Sequence, residues 1–116
     1  MKWNLSLEAE FFYQQGLRRN KAEKYAEALL SLDIAVEYEP DYADAWSQRG
    51  IALGSLNRHE DAIASFDRAV SLRPDASWVW HNRGIALGKL GRYTEALNSF
   101  DRALEFNPDA ATIWHN

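Results

Sequence analysis

The chain repeats itself every 34 residues, and that period limits its fold more than any other property of its sequence. Trp46, Trp80 and Trp114 stand 34 residues apart, as do Gly50 and Gly84, Ala62 and Ala96, and Phe66 and Phe100. Pro40, Pro74 and Pro108 keep the same step, and each precedes an aspartate, Asp41, Asp75 or Asp109. Residues 43–76 laid over 77–110 without a gap give 18 identities, and residues 9–42 match the second block at 10 positions. A period of this length marks a stack of small units, none of which can bury a core alone. The 116 residues then divide into three blocks (9–42, 43–76 and 77–110), a leading segment 1–8, and a trailing 111–116 that opens a fourth block.

Each block reads as two helices. In the second block the first helix is predicted from about Asp44 to Leu56 and the second from about Glu60 to Leu72. The second ends before Pro74, because the residue preceding a proline avoids the helical region. Asn57, and Gly91 one block later, occupy the place of a left-handed residue that closes a helix. Asp41, Asp75 and Asp109 are expected to cap the next first helix, and Asp41-x-x-Asp44 has the outline of a capping box. Trp46, Gly50 and Leu53 fall on one stripe of the first helix, and Ala62, Phe66 and Ala69 on one stripe of the second. Bulky residues facing small ones allow close helix packing, and burying each aromatic stabilises by roughly 1.5–3 kcal/mol. These features specify an all-α solenoid.

The residues that carry this pattern resemble the tetratricopeptide repeat (TPR) family. They are Trp46, Gly50, Ala62, Phe66, Ala69 and Pro74, then Trp80, Gly84, Tyr93, Ala96, Phe100, Ala103 and Pro108, with Phe12, Gly16, Tyr25, Ala28, Leu32, Ala35 and Pro40 in the first block. The resemblance covers nearly the whole chain. It implies a right-handed α-solenoid of stacked antiparallel helix pairs, three TPR repeats plus the start of a fourth. Departures are Gln15, Arg49 and Arg83 where the family usually has Leu, and His59 in place of Tyr. The wording of the second and third blocks is similar to that of bacterial multi-repeat TPR arrays.

Composition narrows the function classes. With 47% hydrophobic and 26% charged residues the chain is globular, and zero cysteines exclude a disulfide framework or a Cys-ligated metal. A net charge of -4 argues against a nucleic-acid binder, which needs a basic footprint. No apolar run is long enough to span a membrane, so a cytoplasmic protein without membrane contact is expected. No cofactor and no enzymatic activity are expected either: a catalytic site is normally singular, whereas the polar residues here recur in each block. Arg49 is expected to pair with Asp67, and Arg83 with Asp101, inside a block, with Gln15 opposite Asp33 as the weaker version. His81 and His115 share a frame position but lack a third ligand, so no metal site is expected. The Gly50/Gly54 and Gly84/Gly88 pairs read as close helix packing in a water-exposed fold. Arg18, Arg19, Lys21 and Lys24 form one basic cluster, read as a solvating end helix or a contact for an acidic segment.

The resemblance implies a concave groove lined by the first helix of each block, with a protein or peptide as partner. The matching positions are Glu10, Tyr13, Leu17, Asn20 and Lys21, then Asp44, Ser47, Ile51, Gly54 and Ser55, then Trp78, His81, Ile85, Gly88 and Lys89. Their steps of 3, 4, 3 and 1 form one helical stripe, apart from the packing stripe. Leu17, Ile51 and Ile85 would be an aliphatic floor with Gly54 and Gly88 leaving space beside it. Trp78 lies about 200° around the helix from Trp80 and is a candidate aromatic anchor. Some TPR domains hold a chaperone C-terminal carboxylate with Lys, Asn and Arg at groove places. Here those places carry Tyr13, Leu17, His81 and Ile85, so that clamp is not expected. A second expectation is a weak homodimer through the C-terminal end of the stack, where Phe100 and Leu104 lack the usual covering helix.

Overall fold

The computed structural model describes residues 6–109. They form six helices: α1 (Leu7–Lys21), α2 (Tyr25–Tyr38), α3 (Ala43–Ser55), α4 (His59–Leu72), α5 (Ser77–Lys89) and α6 (Tyr93–Phe106). α1 packs on α2, α3 on α4 and α5 on α6, while α2 meets α3 and α4 meets α5 across the blocks. The chain is therefore an all-α solenoid of stacked helix pairs, and its helices begin and end within a residue of the expected limits. The expected start of a fourth block, with Trp114 and His115, lies outside the described residues.

Short, well-formed turns set the pairing. Asn57 and Gly91 have φ of 64° and 76°, and Glu23 takes the same place in the first block at 61°. Around Asn57 the amides of Asn57 and Arg58 donate to the carbonyls of Gly54 and Leu53, at 3.0 and 2.9 Å. This six-to-one and five-to-two pattern satisfies the last carbonyls of α3, and it recurs at Glu23 and Gly91. The helix starts differ from expectation. Ser6 caps α1 by accepting from the Ala9 amide, but α3 and α5 are preceded by Tyr42 and Ala76 with no side-chain cap. Asp41 instead lies 3.4 Å from Arg68, and Asp44 lies 3.7 Å from Arg73. A different bond fastens these helices to the turns before them: the Trp46 and Trp80 indoles donate to the carbonyls of Pro40 and Pro74 at 2.7 and 2.8 Å. Each bond ties a first helix back to the proline turn that leads into it.

Within each pair a glycine admits the large side chain of the second helix. A Cβ on Gly50 would lie 2.5 Å from the Phe66 ring, and one on Gly84 would lie 2.7 Å from Phe100. Such distances exclude any side chain without displacement of the ring. Gly54 and Gly88 are not of this kind, since a Cβ on Gly54 would meet only Ala62 at 3.9 Å and one on Gly88 nothing. Close packing thus accounts for the first glycine of each pair and not for the second.

Candidate functional site

The recurring arginines hold the stack together across the block boundary, which corrects the pairing inferred from sequence. Arg49 Nε donates to Asp33 at 2.7 Å and its Nη1 to Ser65 at 2.7 Å; Arg83 donates to Asp67 and Ser99, both at 2.6 Å. The acidic partner therefore belongs to the preceding block, and the partner inside the block is a serine. The cause is geometric: a first helix is wedged between its own second helix and that of the preceding block, so one guanidinium fork reaches both. Each arginine also lies over its tryptophan, Arg49 5.6 Å from the Trp46 ring centroid and Arg83 5.8 Å from that of Trp80. In the first block Gln15 accepts from Ser31 at 2.8 Å rather than facing Asp33, and Arg19 donates to the same Ser31 at 2.7 Å. Arg19 is thus drawn out of the basic cluster into packing, while Arg18, Lys21 and Lys24 stay exposed.

The stripe proposed as a groove is heterogeneous. Along it Glu10, Lys21, Ser55 and Lys89 are exposed, Tyr13, Leu17, Asp44, Ile51, Gly54, His81 and Gly88 are half-buried, and Trp78 and Ile85 are 40% and 42% exposed. Two members present no surface for a partner. Ser47 is 2% exposed with its hydroxyl donated to the Ala43 carbonyl at 3.0 Å, and Asn20 is 8% exposed. Both sit where neighbouring first helices converge. His81 leans on Phe100, with ring centroids 5.4 Å apart, and burial lowers its pKa below the ordinary 6.5.

The two junctions between first helices are built differently. Between α1 and α3 the Asn20 amide donates to the backbone carbonyl and the side-chain oxygen of Gln48, each at 3.0 Å. At the other end of the same junction Tyr13 and Tyr42 meet with ring centroids 4.9 Å apart. Burial above all, and then the nearby Asp44 carboxylate, raise the Tyr13 phenol pKa; burial likewise raises that of Tyr42, so both stay neutral. Between α3 and α5 the frame-equivalent residues are Gly54 and Asn82 in place of Asn20 and Gln48, and Ser47 and Ala76 in place of the two tyrosines. Every substitution removes bulk.

The outcome is a pocket of about 240 Å³ between α3 and α5, its walls formed by Ile51, Phe66, Ile85 and Ala86 and its rim by Ser55, His59, Asn82 and Lys89. Five of the residues assigned to the groove from sequence, Ile51, Gly54, Ser55, Ile85 and Lys89, come together there. Leu17, Asn20, Lys21, Trp78 and His81 do not line it. His59 and Asn82 were missed as lining residues. His59 opens α4, and its buried Nδ1 has no hydrogen-bond partner among the described residues. Among those residues no three His, Cys, Asp or Glu side chains cluster as metal ligands, and no helix is long and apolar enough to cross a membrane.

Comparison with known proteins gives a consistent picture. Two family models, both described as tetratricopeptide repeat, match residues 13–77 and 77–110. No curated protein matches the chain in sequence. Among solved structures, MamA superposes with a TM-score of 0.82 at 27% identity, covering 90% of this chain and 61% of its own. The first TPR domain of Spaghetti (RPAP3), bound to the HSP90 peptide SRMEEVD, gives 0.86 at 25% identity, covering 89% of this chain and 82% of its own. YrrB, a TPR protein with an unusual peptide-binding site, also gives 0.86 at 25% identity, covering 92% of this chain and 55% of its own. The chain thus spans somewhat over half the length of MamA and of YrrB.

Proposed function

Because this chain belongs to the tetratricopeptide repeat family, we propose that it is a protein-interaction module whose concave face, lined by α1, α3 and α5, binds a peptide or helical segment of a partner protein. The single observation that carries this reading is the apolar pocket on that face, with Ile51 and Ile85 on its walls and no side chain of the described residues filling it. An apolar surface left uncovered and rimmed by polar groups is the usual mark of a contact site. Peptide binding by related folds supports it, RPAP3 with an HSP90 peptide and YrrB with its own site. The partner class differs from that of a carboxylate clamp, because Tyr13, Leu17, His81 and Ile85 stand at the clamp's places. A catalytic role is not part of this reading.

The groove extends beyond the pocket to Trp78, a second apolar contact at the start of α5. The test is a double variant, Ile51→Glu with Ile85→Glu, against peptides selected for binding to the intact chain. Both side chains point partly to solvent, so the helical circular dichroism is expected to persist while binding is lost. Retained binding overturns the groove assignment.

A second reading has its own observation. On α6 Leu97 is exposed, although its counterpart Ile63 on α4 is buried against the next helix pair, and Tyr93 and Phe106 are exposed beside it. A second copy stacking on this end would cover them. Mass by light scattering is then expected to rise with protein concentration, and a constant monomer mass counts against it.

A further inference from the structure

The pocket between α3 and α5 opens where Gly54 stands in place of the first junction's Asn20. At the first junction Asn20 fills the equivalent space and satisfies Gln48. At the second junction the same place is Gly54, and the residue matching Gln48 is Asn82, whose side chain makes no hydrogen bond among the described residues. Gly54 is not required by packing, since a Cβ there would make only ordinary contact with Ala62 at 3.9 Å. Nor is it required by the turn, because the left-handed residue is Asn57. Beside Gly54 lies an opening over Ile51, Phe66 and Ile85, edged by the Asn82 amide and by the buried His59 Nδ1, which has no partner among the described residues.

The opening defines its occupant. At about 240 Å³ it falls below the roughly 300–1,000 Å³ of sites for small molecules, and is of a size for one side chain. Its walls are apolar. Its rim carries the ammonium of Lys89, which forms no ion pair among the described residues, and no carboxylate lines it. An unopposed cation beside an apolar pocket selects a partner carrying negative charge next to a hydrophobic anchor. In an extended segment alternate side chains share a face, so the two groups stand two residues apart.

We propose that this pocket receives a bulky apolar side chain of a partner peptide, whose acidic side chain two residues along engages Lys89 and Asn82. The proposal rests on the groove reading above and fixes where on the groove recognition is centred and what chemistry it selects. The first junction, closed by Asn20 and by the Tyr13–Tyr42 contact, takes no such anchor.

The test uses the full chain and the capped probe acetyl-Ala-Leu-Ala-Asp-Ala-amide, followed by amide chemical shifts. Shifts are expected at Gly54, Ser55, Ile85 and Lys89. Replacing the probe's leucine by alanine removes them, and replacing its aspartate by asparagine weakens binding about two- to fivefold, the range of an exposed ion pair. Lys89→Gln in the protein gives the same weakening and makes the aspartate-to-asparagine change silent. Gly54→Asn, which has room for its Cβ and rebuilds the clasp of the first junction on Asn82, abolishes the shifts while helicity is kept. Equal binding by Gly54→Asn, or by the alanine probe, overturns the proposal. So does a pocket whose amides shift with protein concentration alone, because a second copy is then the occupant. Preference for a probe ending in a free carboxylate instead of carrying the aspartate also overturns it. Failure of the groove reading itself looks different: selected peptides then ignore Ile51→Glu with Ile85→Glu. If they respond to that pair but tolerate Gly54→Asn, the groove stands and the pocket proposal falls.

Discussion

The two junctions between first helices share a frame and differ in what fills it. Both are pinned by the same arginine device, Arg49 to Asp33 and Ser65, and Arg83 to Asp67 and Ser99. Beyond that pin they diverge. The α1/α3 junction carries a hydrogen-bonded clasp, Asn20 to Gln48, and a pair of tyrosine rings. The α3/α5 junction carries Gly54, Asn82, Ser47 and Ala76 at those places and keeps an open pocket. The lesson concerns repeats: residues that hold the stack recur because every unit needs them, while residues on the inner face are free to diverge, and a loss of bulk there can turn a filled junction into an open pocket.

The comparison can be broken at three levels. The largest effect is expected at the shared pin. Arg49→Ala and Arg83→Ala each leave a serine hydroxyl, Ser65 or Ser99, fully buried without its donor. The expected loss is about 1–3 kcal/mol of unfolding free energy, equal within error at the two sites. The ion pairs themselves add little, because Asp33 and Asp67 are about half exposed. Urea denaturation of the two variants checks this, and a large difference between them means that the pins are not equivalent.

A smaller and opposite pair of effects is expected at the divergent places. Asn20→Gly removes a buried clasp and puts glycine in a helix, with an expected loss of about 1–2 kcal/mol. Gly54→Asn is expected to stabilise by about 0.5–1.5 kcal/mol through the reverse terms. Thermal melting of both variants measures the contrast. Destabilisation by Gly54→Asn means that Asn82 cannot reach a side chain at that place.

The smallest effect is a pH dependence at His81 in the third pair. Burial against Phe100 lowers its folded pKa below the unfolded 6.5. The unfolded chain therefore binds the proton first, so His81's contribution is full above pH 6.5 and falls as pH drops from 6.5 towards the lower folded value. His81→Gln is expected to flatten that part of the stability curve, as followed by melting between neutral and mildly acid pH. An unchanged slope shows that His81 gains its proton equally in both states.

What the sequence revealed follows from what repetition can and cannot encode. The helix pairs, the glycine beneath Phe66 and Phe100, and the left-handed Asn57 and Gly91 were legible because each recurs at a spacing with one physical cause. The arginine pairing was misread because recurrence does not distinguish Asp67 from Asp33: both lie in the frame, and only the stacking of one pair on the next decides between them. Asp41 and Asp75 failed as caps because α3 and α5 start one residue too late for them, with Tyr42 and Ala76 at the capping places. The indoles of Trp46 and Trp80 add a separate tie to the proline turn, a bond invisible in a pattern that treats tryptophan as bulk. On the inner face the stripe was legible from helical steps, but burial within it was not. Ser47 and Asn20 are exposed in a single-helix projection and lose that surface only when the neighbouring first helix arrives. The pocket was foreshadowed by Gly54, whereas His59 reaches it from α4, a helix outside the stripe, and Asn82 lies three residues before Ile85 on α5, beside the positions assigned to the groove.

The central claim is that recognition lies at the α3/α5 junction and not along the whole inner face. The most direct measurement is amide chemical-shift mapping of the intact chain with a peptide selected on it. The account predicts perturbations centred on Gly54, Ser55, Ile85 and Lys89, with Leu17, Asn20 and Lys21 nearly silent. Perturbations centred on Leu17 to Lys21, with Gly54 and Ile85 unmoved, would contradict it.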